Sequence, residues 1–188
     1  DLPESTDPAI IDKCRADIRG VVTMLDSLLD IASSEARVGD LAGLEEVDIS
    51  SLAADIAEPY AGSAEEEDIS LRTYIKPGVM MMGEPMQLTR LISNLLDNAL
   101  KYGRRATVSL EADAGSATII VEDEGSDSSA KDIEALLAPF QRGENTATID
   151  GYGLGLTIVA TIAHLHGGTL SFEDTAVGVS ARLLIKRG

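Results

Sequence analysis

The chain has no tryptophan, and its four Tyr and two Phe make up only 3% of 188 residues. Any core must therefore be built from Leu, Ile, Val, Ala and Met. A single cysteine, Cys14, excludes an internal disulfide framework and with it the small secreted scaffolds that depend on one. Positive charge is scarce: 15 Lys and Arg stand against 32 Asp and Glu, a formal net charge of -17. Nucleic-acid backbones and anionic membranes would be repelled, so neither is expected as the main partner. No apolar run approaches the about 20 residues of a membrane span, and no signal peptide is visible. These absences predict a soluble, cytoplasmic piece. Its first residue, Asp1, is not Met, which points to a longer parent whose membrane or sensor segments lie elsewhere.

What is present is a large apolar fraction, 44%, enough for a sizeable core and against general disorder. Ile11, Cys14, Ile18, Val21, Leu25, Leu28 and Ala32 alternate spacings of three and four, the a/d seam of a coiled coil. We read one long helix there that self-associates through Ile11, Ile18, Val21, Leu25 and Leu28, with Cys14 as a small apolar seam residue. Ser33–Leu44 is a polar, Gly-containing connector, which divides the chain into 1–44 and 45–188.

Within 45–188 a short strand is expected over Glu46–Ile49. A helix capped by Ser50 or Ser51 then runs to about Ala64. Strands are expected over Ile69–Ile75 and Val79–Met82, a long helix over Glu84–Tyr102, and a hairpin of Ala106–Glu111 and Ala117–Glu122 around Ala114-Gly115. An irregular Gly, Ser and Asp-rich stretch follows to Gly155. Leu156–His164 reads as a helix, and Thr169–Phe172 and Val179–Ile185 as closing strands. Strands outnumber helices without βαβ alternation, which predicts an α+β two-layer sandwich.

Three stretches carry chemistry. Asn94, Asn98 and Lys101 fall at i, i+4 and i+7 of the long helix, one above the other, while Leu95, Leu96 and Ala99 face elsewhere. Two carboxamides and an ammonium in a row can hold a metal ion and the phosphates it bridges. Asn98 suits Mg²⁺, which prefers oxygen donors and keeps several waters, with Asn94 as a second contact. Lys101 can neutralise phosphate charge, and Tyr102 can stack on adenine. Asp123, in Asp123-Glu124-Gly125, ends an apolar strand and can accept a hydrogen bond from the adenine amine. Gly125 allows close backbone approach. Gly151-Tyr152-Gly153-Leu154-Gly155-Leu156 precedes a helix whose N-terminal amides can bind phosphate oxygens. A phosphate-binding site on so acidic a chain needs local cations, for which Lys101, Arg104, Arg105 and Arg142 are candidates.

In this order the stretches resemble the N, G1 and G2 boxes of the sensor histidine kinases, in the Bergerat (GHKL) superfamily. Pro139-Phe140-Gln141-Arg142-Gly143 is similar to the F box between them. The resemblance covers about Glu46–Gly188. It implies the Bergerat ATP-binding fold, a mixed sheet with helices on one face, binding ATP and Mg²⁺. By that resemblance Asn94, Lys101 and Arg142 serve catalysis. Asn94, Asn98, Lys101, Tyr102, Asp123, Gly125, Phe140, Arg142, Gly151, Gly153, Leu154, Gly155 and Leu156 contact the nucleotide, and Asn98 and Asn94 hold the metal. Phe140 would anchor a lid between Glu124 and Gly153. Asp127 stands where the G1 box has its second glycine.

The gyrase, MutL and Hsp90 branches carry a glutamate base where this chain has Asn94. A carboxamide cannot take a proton, so simple hydrolysis is disfavoured and the resemblance is to the histidine kinase branch. It implies transfer of the γ-phosphoryl group to a histidine on a dimerisation hairpin, then relay to a response-regulator receiver domain. Neither His164 nor His166 lies in an acceptor context, and His166 matches a structural position. Residues 1–44 are similar to the second hairpin helix. The acceptor-histidine helix is then outside this piece, which is expected not to autophosphorylate alone. Two other readings stay open. One is a degenerate kinase acting as a binding scaffold, which Asp127 favours. The other is a GHKL protein-serine kinase, which Asn94 opposes.

Overall fold

The computed structural model describes residues 10–15, 18, 21, 22, 25, 28, 29, 32, 43–66, 69–124, 129–137 and 154–187. Five strands form one mixed sheet in the order β2-β4-β5-β7-β6: β2 is Ser70–Ile75, β4 Arg105–Ala112, β5 Ser116–Glu124, β6 Thr169–Asp174 and β7 Val179–Lys186. β2 and β4 are parallel; the other neighbours are antiparallel. A small antiparallel pair joins β1 (Glu45–Asp48) to β3 (Met80–Gly83). The helices are α1 (Ile49–Glu66), α2 (Pro85–Tyr102), α3 (Ala130–Ala135) and α4 (Gly155–Leu165).

The expected α+β sandwich is present, with one amendment. A parallel pair cannot be joined by a hairpin, and the β2–β4 connection runs through β3 and α2. That crossover lays α2 across the sheet. Its apolar residues Leu88, Leu91, Ile92, Leu95, Leu96 and Ala99 are buried. They share one core with Ala106, Val108 and Leu110 of β4, Ala117, Ile119 and Val121 of β5, and Leu183 and Ile185 of β7. Strand periodicity places Asp123 on this same helix-covered side, at the end of β5.

Local chemistry fixes the element ends. Neither serine caps α1. Asp48 does, its carboxylate accepting from the Ser51 amide at 3.1 Å and the Ser51 hydroxyl at 2.8 Å, and these bonds hold the Asp48 pKa below the usual carboxylate range. Ser50 is drawn elsewhere: its hydroxyl donates to Lys76 O at 2.7 Å and accepts from the Val79 amide at 2.9 Å, joining α1 to the β2–β3 turn. The β4–β5 turn is closed by Asp113, which accepts from the Gly115 and Ser116 amides at 2.8 and 2.7 Å. Helix α3 lies inside the stretch expected to be irregular. Ser129 and Asp132 form a reciprocal capping box at its start.

The backbone at 10–15, 18, 21, 22, 25, 28, 29 and 32 is helical. Ile11, Ile18, Val21 and Leu25 are exposed, as are Ile10, Val22 and Leu29 beside the seam, whereas Leu28 packs against the core. Cys14 is exposed, because the seam faces solvent in a single chain. The connector from 33 to 42 lies outside the described residues. No described helix is long and apolar enough to cross a membrane.

Candidate functional site

The row on α2 faces the start of α4. A Cβ placed on Gly155 would lie 3.1 Å from Asn94 Oδ1 and 3.8 Å from Asn98 Nδ2, so the two carboxamides and the first helical residue of α4 share one small space. Asn94 is held there by its own helix, its Nδ2 donating to Arg90 O at 2.8 Å. Asn98 Nδ2 is buried with no hydrogen-bond partner among the described residues. A buried amide donor without an acceptor costs free energy, so the site is one that an acceptor such as a phosphate oxygen would satisfy. Turned about its last torsion, the same side chain offers Oδ1 to a cation.

α4 begins at Leu154 without a side-chain cap among the described residues, and the first amides of a helix have no intrahelical acceptor. Leu154 is 3% exposed and Leu156 packs against the core. A ligand contact from Leu154 would therefore be made through its backbone, whereas Leu156 is only half-buried. The helix starts one residue earlier than expected, at Gly155.

Asp123 marks a second corner. Gly103, which follows α2, and Gly178, before β7, both press on it. A Cβ at Gly103 would meet Asp123 Cβ at 2.9 Å, and one at Gly178 would meet Asp123 Oδ1 at 2.8 Å. Only glycine leaves room for the carboxylate between the end of α2 and the β6–β7 turn. These two glycines were not singled out in the sequence. Gly103 carries a signal there, directly following the asparagine helix. Gly178 carries none without the β5–β7 pairing that brings it alongside.

The remaining candidates divide. Lys101 and Tyr102 are exposed at the C-terminal end of α2, with Lys101 Nζ 5.7 Å from the Tyr102 ring centroid. The ring thus takes a cation from its own chain neighbour. Arg105, offered as a phosphate cation, instead contacts Glu124 Oε2 at 3.3 Å across the β4–β5 pair. Arg104 is exposed. Gly125, Asp127, Phe140, Arg142, Gly151 and Gly153 lie outside the described residues.

The two histidines separate as expected. His164 is exposed. His166 is 8% exposed; its Nδ1–H donates to Ile162 O at 2.8 Å and its Nε2 accepts from the Glu84 amide at 3.0 Å. The ring ties the end of α4 to the start of α2, the helix that carries the asparagines. Gly83 sits against the same ring, where a Cβ would lie 3.3 Å from His166 Cδ2 and 2.6 Å from Leu88 Cδ1. Gly167, at φ +62°, then turns the chain into β6.

Residues 83–187 match the family described as histidine kinase-, DNA gyrase B-, and HSP90-like ATPase. The chain is 39% identical over 143 residues to the sensor histidine kinase GtrS of Pseudomonas aeruginosa, an alignment covering 74% of this chain and 29% of that protein. It is 31% identical over 188 residues to the sensor-type histidine kinase PrrB of Mycobacterium bovis, covering 99% of this chain and 41% of that one. The chain therefore spans less than half the length of these relatives. Among solved structures, the mycobacterial sensor histidine kinase MprB superposes with a TM-score of 0.66 at 26% identity, covering 76% of this chain and 97% of that chain. The chain belongs to the histidine kinase-, DNA gyrase B- and HSP90-like ATPase family, and its folded domain is similar to the corresponding domain of sensor histidine kinases.

Proposed function

We propose that this domain binds Mg²⁺-ATP between α2 and α4 and delivers the γ-phosphoryl group to a histidine outside these 188 residues. The observation that carries the reading is the meeting of Asn94, Asn98 and the start of α4 at Gly155, with Asp123 held against Gly103 just beyond the C-terminal end of α2. Asp123 accepts from the adenine amine. Asn98 and Asn94 supply neutral oxygens to the cation. Mg²⁺ keeps several waters and binds phosphate oxygens, so the two carboxamides would need to supply only a minority of its ligands. When bound, Mg²⁺ neutralises charge on the transferred phosphoryl group. The α4 amides orient the phosphates, and Lys101 adds positive charge. The family resemblance assigns Gly125, Phe140, Arg142, Gly151 and Gly153 to the nucleotide as well, and these lie outside the described residues.

In the transfer, the bond between the γ-phosphorus and its bridging oxygen breaks as an imidazole nitrogen bonds to phosphorus, and ADP leaves. Catalysis is mostly positioning and charge neutralisation. Asn94 cannot deprotonate water, which favours transfer over hydrolysis. The partners that follow are a histidine-bearing helix, a response-regulator receiver domain that takes the phosphoryl group on aspartate, and a second copy through the N-terminal helix. The cytoplasm, where ATP is found, is the proposed location.

The test mixes the chain with a histidine-bearing dimerisation hairpin and γ-labelled ATP. Acid-labile label on the hairpin, abolished by Asn98→Ala, is the expected result. Acid-stable label would favour a protein-serine kinase, and no binding of ATP by folded protein would favour a scaffold.

A further inference from the structure

We infer that Thr157 is a positioning residue for the nucleotide site, acting through the start of α4. This inference rests on the ATP-binding reading above. Thr157 is the third residue of α4 and is 6% exposed. Its hydroxyl donates to Leu137 O at 3.0 Å, a bond that reaches back 20 residues. Leu137 lies just beyond the end of α3, where helix carbonyls lack intrahelical partners.

Helix α3 is itself fixed to the sheet. The Ala130 amide donates to Asp174 Oδ1 of β6 at 2.7 Å, beside the Ser129–Asp132 capping box. A line of bonds thus runs from β6 through α3 and Leu137 to the first turn of α4. Among the described residues that turn has no side-chain cap at Leu154, and it faces Asn94 and Asn98 through Gly155. The Thr157 hydroxyl is the link that places these amides at a set distance from the two asparagines. A site that works by preorganised donors is sensitive to small displacements of this kind.

Valine at 157 keeps the shape and removes the donor. The test measures binding of a non-hydrolysable ATP analogue with Mg²⁺ by calorimetry, and the nucleotide-free melting temperature, for wild type, Thr157→Val, Thr157→Ser and Asp174→Ala. Loss of one such bond should weaken binding roughly three- to tenfold in Thr157→Val. Thr157→Ser, which keeps the hydroxyl, should restore most of it. Asp174→Ala should weaken binding too, and combined with Thr157→Val should add little, because both break the same line. Unchanged affinity in Thr157→Val with a lowered melting temperature would make the hydroxyl merely structural and overturn the inference. Serine behaving like valine would do the same. Wild type that binds no analogue would overturn the ATP reading and this inference together, which sets that failure apart from the other two.

Discussion

Gly155→Ala probes the space between α4 and the asparagines, because it should weaken binding far more than it changes stability. Gly155 heads α4 and is not among the described glycines with positive φ, so alanine fits its backbone. Replacing a glycine in a helix interior gains up to about 1 kcal/mol, or about 2–4 °C in melting temperature for a domain of this size, and less at this first helical position. The methyl group, however, enters the space between α4 and the asparagines. It would stand 3.1 Å from Asn94 Oδ1 and 3.8 Å from Asn98 Nδ2. The first separation is tighter than ordinary van der Waals contact, and Asn94 cannot swing away without breaking its 2.8 Å bond to Arg90 O. Phosphate oxygens that use the Asn98 amide and the α4 amides would meet the methyl directly. Displacing one charge-assisted hydrogen bond, worth about 1.5–3 kcal/mol, weakens ATP roughly 10- to 100-fold. Thermal melting without nucleotide and calorimetry with an ATP analogue give the two numbers. Binding reduced by about tenfold or more, with a melting temperature within about 2–4 °C of wild type because the helix gain and the Asn94 contact oppose each other, is the expected outcome. Unchanged affinity would refute the placement of phosphate between Asn98 and Gly155.

His166→Leu keeps the bulk but strands the Glu84 amide, now bonded to Nε2 at 3.0 Å. It should cost about 1–3 kcal/mol, visible in denaturant unfolding, while His164→Ala at an exposed position should be nearly silent. Neither change should abolish phosphoryl transfer to a supplied histidine, and acid-labile label on this chain itself, lost with either substitution, would revive that histidine as an acceptor. The Tyr60 phenol is pushed up to about 12 by burial and then by its 2.8 Å bond to Asp97. Its folded value exceeds its unfolded value near 10. Its contribution is thus fully present below about pH 10 and is lost as pH rises toward 12. Stability measured across that window should fall less steeply in Tyr60→Phe; identical slopes would remove Tyr60 from the account.

The sequence made α2 readable because its apolar residues recur at three- and four-residue spacings, and the polar row interrupts them on one side only. The β4–β5 hairpin was equally plain from alternation around Asp113–Ser116. Helix α3 was missed because six residues are too few for a periodicity. Its signal was the Ser129-x-x-Asp132 box, set in a stretch whose composition reads as loop. The cap of α1 went to the wrong residue for a tertiary reason. Ser50 is bound to Lys76 O and the Val79 amide, contacts that no local pattern announces. Arg105 was legible as a cation, but its place opposite Glu124 depends on strand pairing that the sequence does not announce. Asp123 was legible as a strand-end carboxylate, but its confinement by Gly103 and Gly178 depends on the crossover and on β7. The residues meant for chemistry announced themselves by type and order; the groups that position them act across the fold.

The most direct test is a calorimetric titration of this chain with a non-hydrolysable ATP analogue, with and without Mg²⁺, alongside Asp123→Asn. The account predicts binding to wild type that strengthens with Mg²⁺ and falls sharply in Asp123→Asn, because an amide at 123 cannot give the adenine amine the same acceptor. A folded wild-type protein that binds no analogue, or that binds it equally well with asparagine at 123, would contradict it.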